Sequence, residues 1–407
     1  MTVADLQRRI LIVVSAAQVL SGFGLVAGIT VGALLAAELW DSAAAAGLPA
    51  VLMTAGAAGA ALLIARISDS RGRRVGLASG YAAGAIGAWG VIAAAVAELP
   101  ALVLASFLVY GAGLAANLQA RFAAADLAPV HRRATAMSIV LMATTAGAVL
   151  GPVSAEWSGS LAAGWGLEPL LGPFVVAGVA CMLAAAVLVA LLRPDPLLTA
   201  RARGVDVPAA SSEGEPDVPW RVPVAGGIGV MVIGQGVMVA IMTMTPVHLT
   251  EHEHGLDAVG AAIAWHVAAM YLPSPLSGWL VDRYGPARVA ALSGVVLVAA
   301  GALAASSGAA LGGISAALVL LGLGWSLAMV AGSAVLATRV PPRLRPRLQG
   351  RADALTTLAG ASGAGLAGVV AAGAGYATLA WGGAAIALLA LPLALVVRVR
   401  AGTMSAS

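Results

Sequence analysis

The sequence predicts an all-α membrane protein of twelve transmembrane helices arranged as two pseudo-symmetric six-helix bundles, and three observations carry that expectation. Of 407 residues, 60% are hydrophobic and 10% charged, with a mean hydropathy of +0.96, whereas about one quarter of a soluble domain is charged. Apolar stretches recur at the length of about 20 helical residues that a bilayer core requires. Finally, a short polar segment is written twice, at Ala65-Arg66-Ile67-Ser68-Asp69-Ser70-Arg71-Gly72-Arg73-Arg74 and again at Gly278-Trp279-Leu280-Val281-Asp282-Arg283-Tyr284-Gly285-Pro286-Ala287-Arg288.

The first six spans are expected near residues 10–36, 48–66, 75–97, 100–122, 134–155 and 169–192. The twin arginines Arg8 and Arg9 precede an apolar run too long for a signal-peptide core, so they read as the anchor of the first span. Small residues dominate the third span, where Gly76, Gly80 and Gly84 recur every fourth position; in lipid such a stripe lets helix backbones approach closely. Cys181 in the sixth span is the single cysteine of the chain, which excludes an intramolecular disulfide and a cysteine zinc cluster.

Residues 193–221 form a long polar stretch, opening on Arg193-Pro194-Asp195-Pro196 and containing the run from Ser211 to Pro216. Proline, glycine, serine and acidic residues bury no core, so this segment is expected to be a flexible cytoplasmic linker. It separates an N-terminal bundle, residues 1–192, from a C-terminal bundle, residues 222–407. The second six spans fall near 222–247, 258–281, 289–307, 312–338, 353–375 and 377–397, with Gly360, Gly363, Gly365 and Gly368 crowding the eleventh.

The chain has no lysine, and its 22 positive charges are all arginine. They cluster before the first span, at 66–74, at 121–133, at 193–221, at 283–288, at 339–351 and at 398–400. With both termini cytoplasmic, every one lies inside, as the positive-inside rule requires. Glu38, Asp41, Glu98, Glu156, Glu168, Glu251, Glu253 and Asp257 fall outside. The net charge of +4 and pI near 9.8 therefore report contact with anionic inner-leaflet lipid. No aromatic-basic patch suggests nucleic acid, and no nucleotide-binding loop suggests ATP-driven pumping or an enzyme.

The repeat extends beyond the two polar turns. Asp69 and Asp282 lie 213 residues apart, Gln18 and Gln235 lie 217 apart, and Arg133-Ala134 pairs with Arg351-Ala352 at an offset of 218. Parallel six-helix repeats of this kind are a transporter arrangement.

These features resemble the major facilitator superfamily of secondary transporters over the whole chain. The second polar turn matches that family's Gly-x-x-x-Asp-Arg-x-Gly-x-Arg/Lys-Arg/Lys signature through Gly278, Asp282, Arg283, Gly285 and Arg288. The first copy has Ala65 and Ser70 in place of Gly and Arg, but keeps Asp69, Gly72, Arg73 and Arg74. The resemblance implies a cytoplasmic gate: Asp69 capping the N-terminal end of the eleventh helix near Asp353, and Arg73 paired with Asp126, with Arg133 in the turn that follows. The alternative role for these arginines is topological anchoring alone. The degraded copy, with Asp126 and Asp353 at hand, is expected to carry the gating bonds, and the intact copy mainly to anchor.

Gly147, Gly151 and Pro152 in the fifth span are similar to the core of the antiporter signature of drug exporters, a partial match that leans toward export. The arginine of the usual helix-four coupling signature is absent, Phe107 and Val109 preceding Gly111 and Gly113.

A substrate site is expected near the midplane, made from the few polar groups a membrane tolerates. At about 1.5 Å per residue, Gln235 falls mid-span, Gln18 in the inner half of the first span, and His266 roughly 12 Å below the outer end of the eighth. Asn117 and Arg121 share a face of the fourth span. Thr144, Thr145, Trp265, Trp325 and Ser326 complete the candidate lining. His266 is the one histidine expected inside a span and, with no Asp or Glu expected deep in any, the internal candidate for proton coupling; the alternative is a neutral histidine bonded to a carbonyl. Met238, Met242, Met244 and Met270 suit adaptable contact with lipophilic ligands. The outer segment with His248, Glu251, His252 and His254 has metal-like spacing, though a solvated loop is the simpler reading, and no metal or cofactor is expected. The sequence thus points to a monomeric inner-membrane carrier of small molecules, exporting lipophilic compounds, with protons as a possible partner. An uptake permease and a flux-free membrane sensor are the alternatives.

Overall fold

The computed structural model describes residues 2–40, 47–204 and 220–398, so Asp41, the Ser211 to Pro216 run and Arg400 lie outside the described residues. The same holds for the side chains of residues 23–30, 148–155 and 256, Gly151 and Pro152 among them. The described chain is helical almost throughout: α1 (Val3–Leu39), α2 (Leu48–Arg71), α3 (Arg73–Val96), α4 (Pro100–Ala125), α5 (Arg133–Gly164), α6 (Gly172–Leu191), α7 (Pro196–Ala202), α8 (Arg221–Glu251), α9 (Leu256–Tyr271), α10 (Ser274–Tyr284), α11 (Pro286–Ser306), α12 (Leu311–Arg339), α13 (Arg345–Ala387) and α14 (Ala390–Arg398). Among the described residues, nine helical stretches are long and apolar enough to cross a membrane.

Breaks in the helices follow from local chemistry. The turns α2–α3 and α10–α11 pass through Gly72 (φ 90, ψ 165) and Gly285 (φ 85, ψ 154). This region of backbone space is essentially closed to residues with a Cβ, which explains why each polar turn contains a glycine at this point. Pro273 separates α9 from α10 within what the sequence suggested was one span. Gly375 (φ 82, ψ 163) kinks α13 at the boundary expected between the last two spans.

Two compact units emerge from the contacts. The first comprises Met1–Leu127, Ile139–Thr199 and Gln349–Leu358; the second comprises Ala128–Ser138, Ala200–Leu348 and Ala359–Ser407. In the first unit α3 and α4 pack extensively, as do α2 and α4. Gly111 lies against the Met53 carbonyl and Gly56 against the Leu108 carbonyl, so any side chain there would push the helices apart. Phe174 is boxed in by Phe107 and Tyr110, with ring centroids 5.7 and 6.0 Å away. In the second unit, α12 packs against α8, α9 and α11, and its stretch from Gly324 to Ala337 is buried without interruption.

Two expectations need correction. The linker is not featureless: Asp195 accepts hydrogen bonds from the Leu197 and Leu198 amides (3.0 and 3.1 Å) and so starts α7. Aspartate before a first-turn proline is a helix-start signal, and it overrides the loop-like composition. The eleventh helix also begins earlier than hydropathy indicates, at Arg345 rather than near 353. Arg345, Arg347 and Arg351 mask the helix in a hydropathy profile, while Pro346 is tolerated in a first turn.

Candidate functional site

The first unit gathers its buried charges at the arginine-bearing end of the helices. Arg73, fully buried in the first turn of α3, donates from Nε to Asp126 Oδ2 (2.9 Å) and from Nη2 to Asp126 Oδ1 (3.4 Å) and Gln349 Oε1 (2.5 Å). Arg121, also fully buried, donates from Nη2 to Asp353 Oδ1 at 2.5 Å and from Nη1 to the Leu118 carbonyl. Its guanidinium carbon lies 4.2 Å from the centre of the Phe122 ring, a cation–π contact that satisfies the face its hydrogen bonds leave open. Asp353 shows no exposed surface, and its second oxygen, Oδ2, has no hydrogen-bond partner. Burying charge is tolerable only when it is paired, and removing one partner of such a pair costs about 3 to 5 kcal/mol.

Asp195 adds a second tie in this unit. Besides starting α7, its Oδ2 accepts the Arg74 backbone N–H at 2.7 Å, and it fills the space beside Gly72 where a Cβ would have to go. Sequence reasoning gave Asp195 no role beyond the linker; an aspartate set between two prolines was the available signal.

Asp69 was expected to cap the helix start near Asp353. That helix starts at Arg345, with Leu344 at its cap and no side-chain cap bond, and the residues up to Asp353 lie inside a continuous helix. Asp69 is half-buried on the last turn of α2, which meets α13 through Ala61 and Ala65 against Gly350.

In the second unit, the intact polar turn carries the helix cap that was expected of the degraded one. Asp282 accepts from the Ala134 and Thr135 backbone amides at 3.1 and 2.8 Å and from Thr135 Oγ1 at 2.7 Å. A carboxylate at a helix N-terminus satisfies open amides and meets the positive end of the helix dipole. Anchoring alone was therefore too modest a role for this copy, although Arg283 and Arg288 are exposed and fit it. Gly278 abuts Ala134, Thr135 and Ser138, where a side chain would collide.

The structure also corrects the repeat register. Arg133 and Arg345 are each the first residue of their helix, and each donates from Nε to a carbonyl five residues upstream, Ala128 (3.2 Å) and Val340 (3.3 Å). The counterpart of Arg133 is thus Arg345 rather than Arg351. Arg133 also donates from Nη1 to the Ala337 carbonyl at 3.0 Å.

The candidate lining residues differ in how their polar atoms are used. Gln18 is fully buried and used at both ends, donating to Thr144 Oγ1 (3.1 Å) and accepting from the Tyr81 hydroxyl (2.7 Å). Asn117 joins this network through Ser21 Oγ (2.9 Å) and is half-buried, whereas Thr145 Oγ1 is buried without a partner. This network ties α1, α3, α4 and α5 together, and Tyr81 within it was not foreseen.

In the second unit, half-buried Gln235 accepts from Trp325 Nε1 at 2.6 Å, which fixes its amide so that the NH2 group remains available. Tyr271 meets the edge of Trp325 at 5.5 Å. Ser326 Oγ lies 3.1 and 3.2 Å from Ser274 and Ser277. His266 is fully buried; Nδ1 lies 2.7 Å from the Leu318 carbonyl and must be the donor, while Nε2 has no partner. Trp265 is 65% exposed on α9, which removes it from an interior lining. Gly147 is buried.

At the opposite end of the second unit, the histidines spend ring nitrogens on carbonyls: His248 Nε2 on Gly308 (2.8 Å), His252 Nδ1 on His248 (2.8 Å) and His254 Nε2 on Ala309 (2.7 Å). His248 also stacks on Tyr376 at 4.3 Å. Among the described residues no group of three metal-ligating side chains is assembled.

A model of the Major Facilitator Superfamily matches residues 14–272 and 226–405. The uncharacterized MFS-type transporter YdeG of Bacillus subtilis is 45% identical over 377 residues, covering 90% of this chain and 87% of the relative. The riboflavin transporter RfnT of Brucella anthropi is 30% identical over 370 residues, covering 87% and 86%. Among solved structures, the proton:xylose symporter XylE bound to 6-bromo-6-deoxy-D-glucose superposes with a TM-score of 0.78 at 15% identity, over 96% of this chain and 95% of that one, a likeness of fold.

Proposed function

The chain belongs to the major facilitator superfamily, and from that premise we propose that it is a secondary active exporter of small lipophilic organic compounds in the inner membrane. Its arginine-bearing end and both termini face the cytoplasm. It works as a monomer by rocking of residues 1–192 against residues 222–407.

The observation that carries this reading is the pairing of Arg121 with Asp353, a bond from the fourth helix to the eleventh made wholly inside the protein. A static scaffold gains little from such a pair, since well-packed apolar residues serve as well or better. A carrier that must alternate gains a bond that is strong in one state and exchanged for water in the other. The Asp282 cap on α5 and the Arg73–Asp126–Gln349 cluster suit the same purpose. Met238 and Met270 in the interior, with Met242 and Met244 half-buried, provide deformable apolar contact. The amide of Gln235 and the Trp325 ring beside it suit a flat ligand with a hydrogen-bond acceptor. That chemistry, together with the 30% identity to a riboflavin transporter, supports a heteroaromatic solute as the substrate in the second reading, an uptake permease.

Flux from proteoliposomes tests both, using ethidium, riboflavin and an organic-acid panel with and without a pH gradient. Gradient-driven extrusion of a lipophilic probe is expected. Riboflavin uptake alone would shift the reading to the permease, and absence of flux for every probe would remove transport itself.

A further inference from the structure

We infer that the α10–α11 turn is a docking site for an anionic phospholipid, with Arg283 and Arg288 holding its phosphate and the exposed faces of the two helices lying along its acyl chains. This rests on the membrane orientation proposed above and adds a partner for the intact polar turn.

The charges of the turn call for an anion. Arg283 lies in the last turn of α10 and Arg288 in the first turn of α11, on either side of Gly285. Both are exposed, and among the described residues neither has an ion pair or a hydrogen bond. The carboxylate beside them is already committed, because Asp282 spends both oxygens on Ala134 and Thr135. A guanidinium fork matches the oxygens of a phosphate in pairs.

Behind each arginine the helix surface is apolar and exposed. On α10, Leu276, Trp279 and Arg283 share one face, with Leu276 57% and Trp279 50% exposed. On α11, Arg288, Leu292 and Val295 do the same, with Leu292 42% and Val295 54% exposed. A basic end on an apolar stripe matches the order of a phospholipid, whereas a free phosphate would leave both stripes bare. Trp279 also meets Tyr284 edge to face, with ring centroids 6.0 Å apart. Such rings, apolar in body and polar at the tip, belong at headgroup level.

The first copy of the turn supplies the contrast. There the space beside Gly72 is filled by the Asp195 carboxylate, which accepts the Arg74 amide at 2.7 Å. Gly285 has nearly the same backbone, φ 85 against 90, but nothing among the described residues lies within 4 Å of the position its Cβ would take. The chain provides its own anion to one turn and leaves the other open to one from the bilayer.

A binding measurement on the full chain tests this. The protein, stripped of lipid in mild detergent, is titrated with dioctanoyl-phosphatidylglycerol, dioctanoyl-phosphatidylcholine or inorganic phosphate, and bound molecules are counted by native mass spectrometry. Phosphatidylglycerol should be retained in preference to both others. Arg283→Gln/Arg288→Gln should weaken its binding about thirtyfold, the loss expected for two arginines at an anionic lipid surface. Arg283→Lys/Arg288→Lys, which keeps the charge, should recover most of it. Arg66→Gln/Arg71→Gln, which removes the same charge from exposed positions of the first unit, should bind as the parent does. Equal retention of phosphatidylcholine, inorganic phosphate bound as tightly as the lipid, or an equal loss in both glutamine variants would overturn the inference. No substrate takes part, so a negative flux panel would remove the transport reading and leave this result standing.

Discussion

At the scale of single residues, the buried charges separate what the sequence can reveal from what it cannot. The Arg73–Asp126 partnership was legible only through the family resemblance of the two separate turns that carry these residues. The Arg121–Asp353 bond was not, since the residues lie 232 positions apart and nothing in their neighbourhoods signals a pairing. Replacing Arg73 with alanine should leave Asp126 unpaired and lower stability by about 3 to 5 kcal/mol, while Arg73→Met combined with Asp126→Leu should recover most of it; thermal unfolding in detergent measures both. The two turn glycines offer a second contrast. Gly72→Ala and Gly285→Ala both force a side chain into a region that costs about 1 to 3 kcal/mol, but only Gly72 also faces Asp195. The Gly72 variant should therefore melt at the lower temperature and lose protection of α7 in hydrogen exchange.

At the scale of elements, hydropathy located helices well where they cross apolar surroundings and poorly where they emerge from them. The start of α13 was missed by eight residues because arginines there are helical yet polar, and that miss carried two errors with it. Asp69 was assigned to a helix start that lies elsewhere, and Arg133 was matched to Arg351 when Arg345 is its structural counterpart. The glycines show a similar limit. Gly111 and Gly56 are needed for the α2–α4 contact, whereas Gly365 and Gly368 meet nothing within 4 Å, a distinction that spacing alone does not make. Gly111→Leu should sharply reduce the yield of folded protein, while Gly365→Ala should leave it unchanged, as read by size-exclusion profiles. Removing the cap on α5 with Asp282→Ala should cost about 1 kcal/mol, visible as fraying of residues 133–136 in hydrogen exchange.

At the scale of the whole molecule, the composition and the doubled polar turn were sufficient to indicate the fold, because lipid leaves few architectures open to so apolar a chain. What they could not indicate was how the copies diverged. The intact copy caps a helix through Asp282; the degraded one sits beside a cluster of buried charges, with Asp195 pinned to its glycine turn. The symmetry of the sequence is thus a symmetry of backbone turns and helix starts, and the side-chain chemistry on the two sides differs. The central claim is that the first turns of α13 part, during the working cycle, from the two helices they touch in the first unit, α4 through Arg121–Asp353 and α2 through Gly350 against Ala61 and Ala65. Its most direct test is a pulsed electron spin–spin distance measurement between labels at the exposed positions Arg66→Cys and Arg351→Cys, in the Cys181→Ser background, with and without a transported probe. Two distance populations whose ratio shifts on adding a transported probe are expected; a single distance, unchanged with every transported probe, would contradict the account.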